Sequence, residues 1–403
     1  VRTPKKHLHL PLAVICLALA CSRSAPPPGA TAVTLYNNGV AAAGKGDWDE
    51  AIAEYTLAIG IDPAYAEAYN QRGVARRNKG DLAGAIADDD KVVELLPEAG
   101  AGYINRGVAK YQKNDFAGAI ADFTQAIELD PYTEMTYCDR AAAEEGKGDL
   151  DAALADCSKA IEMNPDLAEG YYNRAKVKLA KRDLNGAVAD STKAIAMKPD
   201  FGNAWYNRGL AKTDQGDFTG AIADCTEAIT LNPNAQKAYN GRGVAERATG
   251  SLPDALTDFT KAIELKPDDE KAYYNRAAVK RATGDWDGAI ADFTRGLKLK
   301  PNDDAYNNLA WVLSVCPDAK IRDGQRALTC ARKACESSSW KNPYYLRTFA
   351  AACAETGDFE QAVQWETKVV EMGFPDRDLK QAREMLALYQ QQKPYYFTPE
   401  SSK

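Results

Sequence analysis

Large and small side chains alternate along most of the chain on a fixed beat that begins at residue 32. Each block carries a large residue at its fourth position: Leu35, Tyr69, Tyr103, Tyr137, Tyr171, Trp205, Tyr239 and Tyr273. Its eighth position is small: Gly39, Gly73, Gly107, Ala141, Ala175, Gly209, Gly243 and Ala277. Twelve residues on, alanine stands in all eight blocks (Ala51, Ala85, Ala119, Ala153, Ala187, Ala221, Ala255, Ala289), followed each time by Ile, Leu or Val. Positions four apart share one face of a helix, so the pattern predicts two amphipathic helices per block, packed closely at their small residues. Between them stand Gly46-Asp47, Gly80-Asp81, Gly148-Asp149, Gly216-Asp217 and Gly284-Asp285. The glycine suits a left-handed end to the first helix and the aspartate a cap on the second. Pro63, Pro97, Pro131, Pro165, Pro199, Pro233, Pro267 and Pro301 close the blocks at a constant interval of 34 residues.

A helix-turn-helix unit of this length, able to bury its apolar faces only on its neighbours, resembles the tetratricopeptide repeat. The resemblance covers nearly all of the chain after residue 31. It implies an all-α fold: a right-handed α-solenoid (superhelix) of about ten helix pairs with a C-terminal capping helix. Residues 32–301 hold the eight regular units. Residues 302–376 hold two divergent ones: Tyr306 and Ala310 restart the pattern, five residues are inserted around Cys316-Pro317-Asp318 ahead of Asp323, and a tenth unit runs from Pro343 through Gly357-Asp358 and Ala362. Within 377–403, Arg377 to Gln392 is expected to form the capping helix and Lys393 to Lys403 a frayed tail.

In such repeats the first helices line a concave surface where partners usually lie. The sixth position there reads Asn37, Gln71, Asn105, Asp139, Asn173, Asn207, Gly241, Asn275 and, in the ninth unit, Asn308. This resembles the asparagine ladder of O-GlcNAc transferase repeats. A carboxamide offers donors and an acceptor to an extended peptide backbone whatever its side chains, and Tyr172, Tyr206 and Tyr274 beside it could stack on a guest. The same residues could instead bond neighbouring helices or fill the gaps between repeats. Arginine at the seventh position of seven consecutive repeats (Arg72 to Arg276) and aspartate at the twenty-third (Asp88 to Asp292) predict a ladder of structural ion pairs. The lysine and asparagine with which some of these repeats clamp the carboxyl terminus of chaperones are missing from positions five and nine.

Composition narrows the chemistry. The only histidines among 403 residues are His7 and His9, near the start, so imidazole catalysis and mixed Cys/His zinc sites have no residues to draw on. No enzyme activity, cofactor or metal is expected. Acidic residues outnumber basic ones, 57 to 50, which disfavours nucleic acid as a partner. Cysteines crowd the irregular end, where an exported protein could close a disulfide such as Cys316 with Cys335, although spacing leaves connectivity open.

The first 20 residues run from basic Arg2–Lys6 through apolar Leu10–Leu19 to Ala18-Leu19-Ala20, with Cys21 next. This reads as a secretory signal peptide, and the cysteine resembles a bacterial lipobox, implying lipidation at Cys21. Ordinary cleavage to a soluble periplasmic or secreted protein is the alternative. Residues 21–31, with Pro26-Pro27-Pro28, read as a tether. The expected function is a membrane-anchored, non-enzymatic scaffold of the cell envelope, expected as an outer-membrane lipoprotein, that binds an extended polypeptide; a regulatory subunit acting on an enzyme in trans and a spacer with no guest are the alternatives.

Overall fold

In the computed structural model, residues 29–373 and 376–397 are described. The signal peptide, Cys21 and most of the tether predicted from the sequence lie outside them. The described residues form 21 helices and no strand. They fall into two compact units, Val1–Ala211 and Lys212–Lys403.

Helix boundaries follow from local chemistry. The first helices of the second and third repeats, Ala66–Lys79 and Gly100–Gln112, are followed by the second helices Leu82–Leu95 and Phe116–Leu129. Asp81 and Asp115 cap the latter by accepting from the backbone N–H of Gly84 and Gly118, at 2.9 and 3.0 Å. Asp47, Asp149, Asp183, Asp217, Asp285, Asp323 and Asp358 do the same for their helices. Ahead of these aspartates the chain turns through positive φ at Gly80 (92°) and Gly148 (92°), and Asn114 and Arg182 adopt that conformation (64°) where the third and fifth repeats lack the glycine. At the other end, proline biases the preceding residue away from helix: Asp62, Asp130, Asn164 and Asn232 are extended, so the second helix stops one residue short.

Packing inside a repeat rests on the eighth position. Gly39, Gly107 and Gly243 lie against the rings of Tyr55, Phe123 and Phe259, all buried. In the fourth and fifth repeats the smaller Cys157 and Ser191 stand at the ring position, and alanine replaces the glycine (Ala141, Ala175). This trade of room for bulk is not general, since the eighth repeat buries Ala277 together with Phe293.

The arginine ladder is present. Arg72, Arg106, Arg140 and Arg174 in the first unit, and Arg242 and Arg276 in the second, each grip the aspartate sixteen residues on through Nε and Nη2, at 2.6–3.0 Å. The remaining guanidinium nitrogen reaches back to the preceding repeat: Arg72 to Thr56, Arg140 to Thr124, Arg242 to Thr226 and Arg276 to Thr260, while Arg106 takes Asp90. Each arginine also lies over the aromatic ring three residues before it, as Arg106 does on Tyr103. One side chain thus joins both helices of its own repeat to the repeat before.

The second unit ends differently. The first helix of the ninth repeat, Asp303–Val315, gives way to the inserted loop before Gly324–Ser337; Pro343–Glu355 and Phe359–Met372 follow, then Asp376–Gln390. That last helix buries Ala382, Met385 and Tyr389. Over residues 393–397 the tail departs from the fraying predicted for it, and residues 398–403 lie outside the described residues. Residues 393–397 lie back on the unit: the Phe397 N–H donates to the Val315 carbonyl at 2.8 Å, its ring meets Trp286 edge-on, and buried Tyr395 packs on Trp311 and accepts from Gln381. Arg322 covers Tyr396 at 3.9 Å from the ring centre.

Candidate functional site

Within each unit, first helices of successive repeats touch one another, Ala66–Lys79 with Gly100–Gln112 and Asp303–Val315 with Pro343–Glu355. They form one continuous face. On it, the carboxamides divide by what precedes them. Asn105 donates through Nδ2 to Asn70 at 2.8 Å and Asn275 to Asn240 at 3.0 Å, each reaching the fifth position of the preceding repeat. These two are committed to the stack. The sequence signal was available, because asparagine occupies the fifth position only ahead of them among the sixth-position asparagines. Asn308 accepts from Arg281 at 3.1 Å. Asn173 follows Cys138 and has a buried Oδ1 with no partner, and Asn207 has a buried Nδ2 in the same state. Gln71 is half-buried and Asn37 exposed.

The tyrosines also differ. Tyr172 is buried, 4.8 Å from the Phe201 ring. Tyr274 donates to the Lys300 carbonyl, and its ring occupies space left by Gly296. Tyr206 is half-buried.

Charges accompany these carboxamides, and of them the sequence pattern places only Asp139. In the first unit, Arg77 stands near Asp89 and Asp139, whose carboxyls burial pushes up, Asp139 to about 8. Nearby Lys176 pairs with Glu145 at 2.7 Å. In the second unit a cavity of about 930 Å³ opens between the first helices of the last three repeats. Arg281, Asn308, Trp311, Tyr344 and Arg347 line it, and Phe397 of the tail forms part of its wall. Burial, and then the repulsion of Arg247, pull the Arg281 guanidinium below its ordinary range.

Cys316 and Cys335 are buried free thiols in this structure, as are Cys138, Cys157, Cys225, Cys330 and Cys353. Burial, then the neighbouring Cys353 thiol, push Cys335 up to about 12, so it is an inert thiol as it stands. Among the described residues no group of His, Cys, Asp and Glu is arranged to hold a metal, and no helix is long and apolar enough to cross a membrane.

Models of the tetratricopeptide repeat match residues 100–133, 136–167, 202–235 and 270–303, and a model of the TPR repeat matches 43–80 and 244–281. No curated protein sequence matches the chain. Among solved structures, the fold is similar to that in the APC/C hetero-tetramer Cut9-Hcn1, at TM-score 0.58 and 16% identity, covering 89% of this chain and 76% of that one. It is also similar to the human IFIT1 dimer with PPP-AAAA, at TM-score 0.54 and 15% identity, covering 84% and 82%. These likenesses extend to the helical fold alone. With the 34-residue period, the paired helices and the matching repeat models in agreement, the chain contains tetratricopeptide repeats.

Proposed function

We propose that this protein is a non-enzymatic scaffold that takes an extended stretch of a partner polypeptide on the face of its first helices, held at the cell envelope by a lipid on Cys21. The observation that carries the binding reading is the tail. Residues 393–397, a non-helical stretch of peptide, lie on that face in the second unit, bonded through the Phe397 N–H to Val315 and anchored by aromatic contacts to Trp286 and Trp311. Backbone bonding plus side chains seated in gaps is how extended peptides are held. The partly unbonded carboxamides of Asn173 and Asn207 mark a second stretch of the face, in the first unit. The lipid anchor rests on Ala18-Leu19-Ala20-Cys21 and the proline-rich segment after it.

A photocrosslinking residue placed at position 311, on the first-helix face, and at position 264, on a second helix, separates the readings in the native host. We expect one defined protein joined from position 311 and absent from position 264. Capture from position 264 alone, or from neither, would refute the groove. Mass spectrometry of the mature amino terminus tests the anchor, with diacylglyceryl-modified Cys21 expected and an unmodified residue 21 overturning it.

A further inference from the structure

The arginines of the first helices are held in different ways. Those at the seventh position are neutralised by a bidentate aspartate. Arg247 and Arg281, at the twelfth position of the seventh and eighth repeats, are not. Among the described residues neither pairs with a carboxylate: Arg281 has the neutral Oδ1 of Asn308 as its hydrogen-bond acceptor, and its charged neighbour is Arg247. Arg347, on the opposite side of the same cavity, donates to the neutral Oε1 of Gln381. The carboxylates near these groups are few. Asp378 lines the cavity and accepts from the Tyr344 hydroxyl. Glu366 lies behind Arg347, fully buried. Arg281 and Arg247, one repeat apart and charged neighbours of each other, have no carboxylate partner among the described residues, and Arg281 opens on a cavity of about 930 Å³ that Arg347 also lines. Holding like charges together costs free energy that a bound anion would recover.

We propose that this cavity and the stretch of first-helix face leading to Arg247, one repeat before it, form an acidic-peptide site: Arg281 and Arg347 in the cavity and Arg247 outside it take the side-chain carboxylates of glutamate or aspartate within an extended guest, while Trp311 and Tyr344 take the apolar residues between them. The inference rests on the polypeptide-binding reading and adds the chemistry of the guest. Guanidinium suits it because its planar fork accepts a carboxylate through two parallel bonds. Three guanidiniums distributed over the seventh, eighth and tenth repeats call for several carboxylates, which an acidic stretch supplies and a single chain end does not. The aromatic part of the site is already partly occupied, by Tyr395 on Trp311 and Phe397 on Trp286, both from the chain's own tail.

The test uses the whole chain and fluorescence anisotropy with a fluorescein-labelled peptide, blocked at both ends, of sequence Ala-Glu-Phe-Glu-Phe-Glu-Ala. Its partners are the glutamine-for-glutamate peptide, the same glutamine peptide with a free carboxyl terminus, and a single-stranded oligoadenylate. The acidic peptide should bind at least roughly tenfold tighter than the other three and weaken as salt rises. Arg281→Gln should remove most of that preference, and the exposed Arg247→Gln should reduce it without moving the melting temperature. Equal binding of acidic and glutamine peptides would overturn the charge assignment and leave the groove intact. Preference for the free terminus would replace the internal acidic stretch with a chain end. Tighter oligoadenylate binding would overturn the peptide site altogether. No binding of the acidic peptide, while position 311 still captures a partner, would reject this inference alone.

Discussion

In the third repeat a single methyl group decides how closely the two helices can meet. A Cβ on Gly107 would stand 2.7 Å from Phe123 Cε1, inside any contact that carbon atoms tolerate, whereas a Cβ on Gly60 meets nothing within 4 Å. Gly107→Ala should therefore destabilise the protein by about 1–3 kcal/mol, and Gly60→Ala should stabilise it by about 0.5–1 kcal/mol, in chemical denaturation of the two variants side by side. Titration is the second residue-level lever. Burial pushes Asp139 up to about 8, and burial, then the charge of Asp156, push Glu144 up to about 7. Both carboxyls hold their protons more tightly folded than unfolded, so stability is highest near the unfolded carboxylate range and falls as pH rises from about 4 towards those values. Replacing Asp139 by asparagine should flatten that decline between pH 5 and 8 in melting temperature. Glu144→Lys would restore the cation that Lys110, Lys178 and Lys280 provide to the ladder aspartate elsewhere, and should raise the melting temperature most at alkaline pH.

Helix pairs were legible in the sequence because each is specified by residues within one period. The capping aspartates, the glycine at the turn and the proline after the second helix act over a few residues, and they place boundaries such as Phe116–Leu129. The arginine ladder was also legible, since its partners keep a spacing of sixteen. What escaped was the third guanidinium contact, to Thr56, Thr124, Thr226 and Thr260, and the pairing of Asn105 with Asn70. Both cross from one repeat to the next and need the packing angle, which a period alone does not supply. The ladder has a testable energetic signature. Asp122 accepts from Arg106 and Lys110 and is buried, so Asp122→Ala leaves two cations facing a dry gap and should cost about 3–5 kcal/mol. A combined Arg106→Met/Lys110→Met/Asp122→Leu variant should recover most of that loss in urea denaturation, because buried ions replaced together by apolar groups of similar volume are close to neutral. A combined variant as unstable as Asp122→Ala would mean that the pair contributes more than the charges it satisfies.

Along a repeat array, stability is a sum of units and of contacts between neighbours, so an end needs something to cover its last apolar face. In the second unit that cover has two layers. Met385 and Tyr389 of the last helix are fully buried, and beyond them Tyr395 and Phe397 seal Trp311 and Trp286. The outer layer was invisible in the sequence: Tyr395 lies 84 residues from Trp311, and nothing periodic links them. Removing residues 394–403 should therefore act locally. The tail covers the eighth and ninth repeats, so hydrogen exchange should accelerate in Glu270–Thr283 and Asp303–Val315, tryptophan emission should shift to the red, and unfolding of the second unit should lose about 2–4 kcal/mol, the scale of deleting a buried aromatic side chain. Exchange in Ala66–Lys79 and Gly100–Gln112, whose neighbours are untouched, should stay as it was. The same truncation bears on function, because it empties part of the wall of the cavity that Arg281 and Arg347 line. If the tail holds the place of a guest, the truncated protein should bind the acidic peptide more tightly although its fold is weaker. If the tail is only a cover, affinity should fall together with stability, and the opposite signs of the two outcomes make this one comparison decisive.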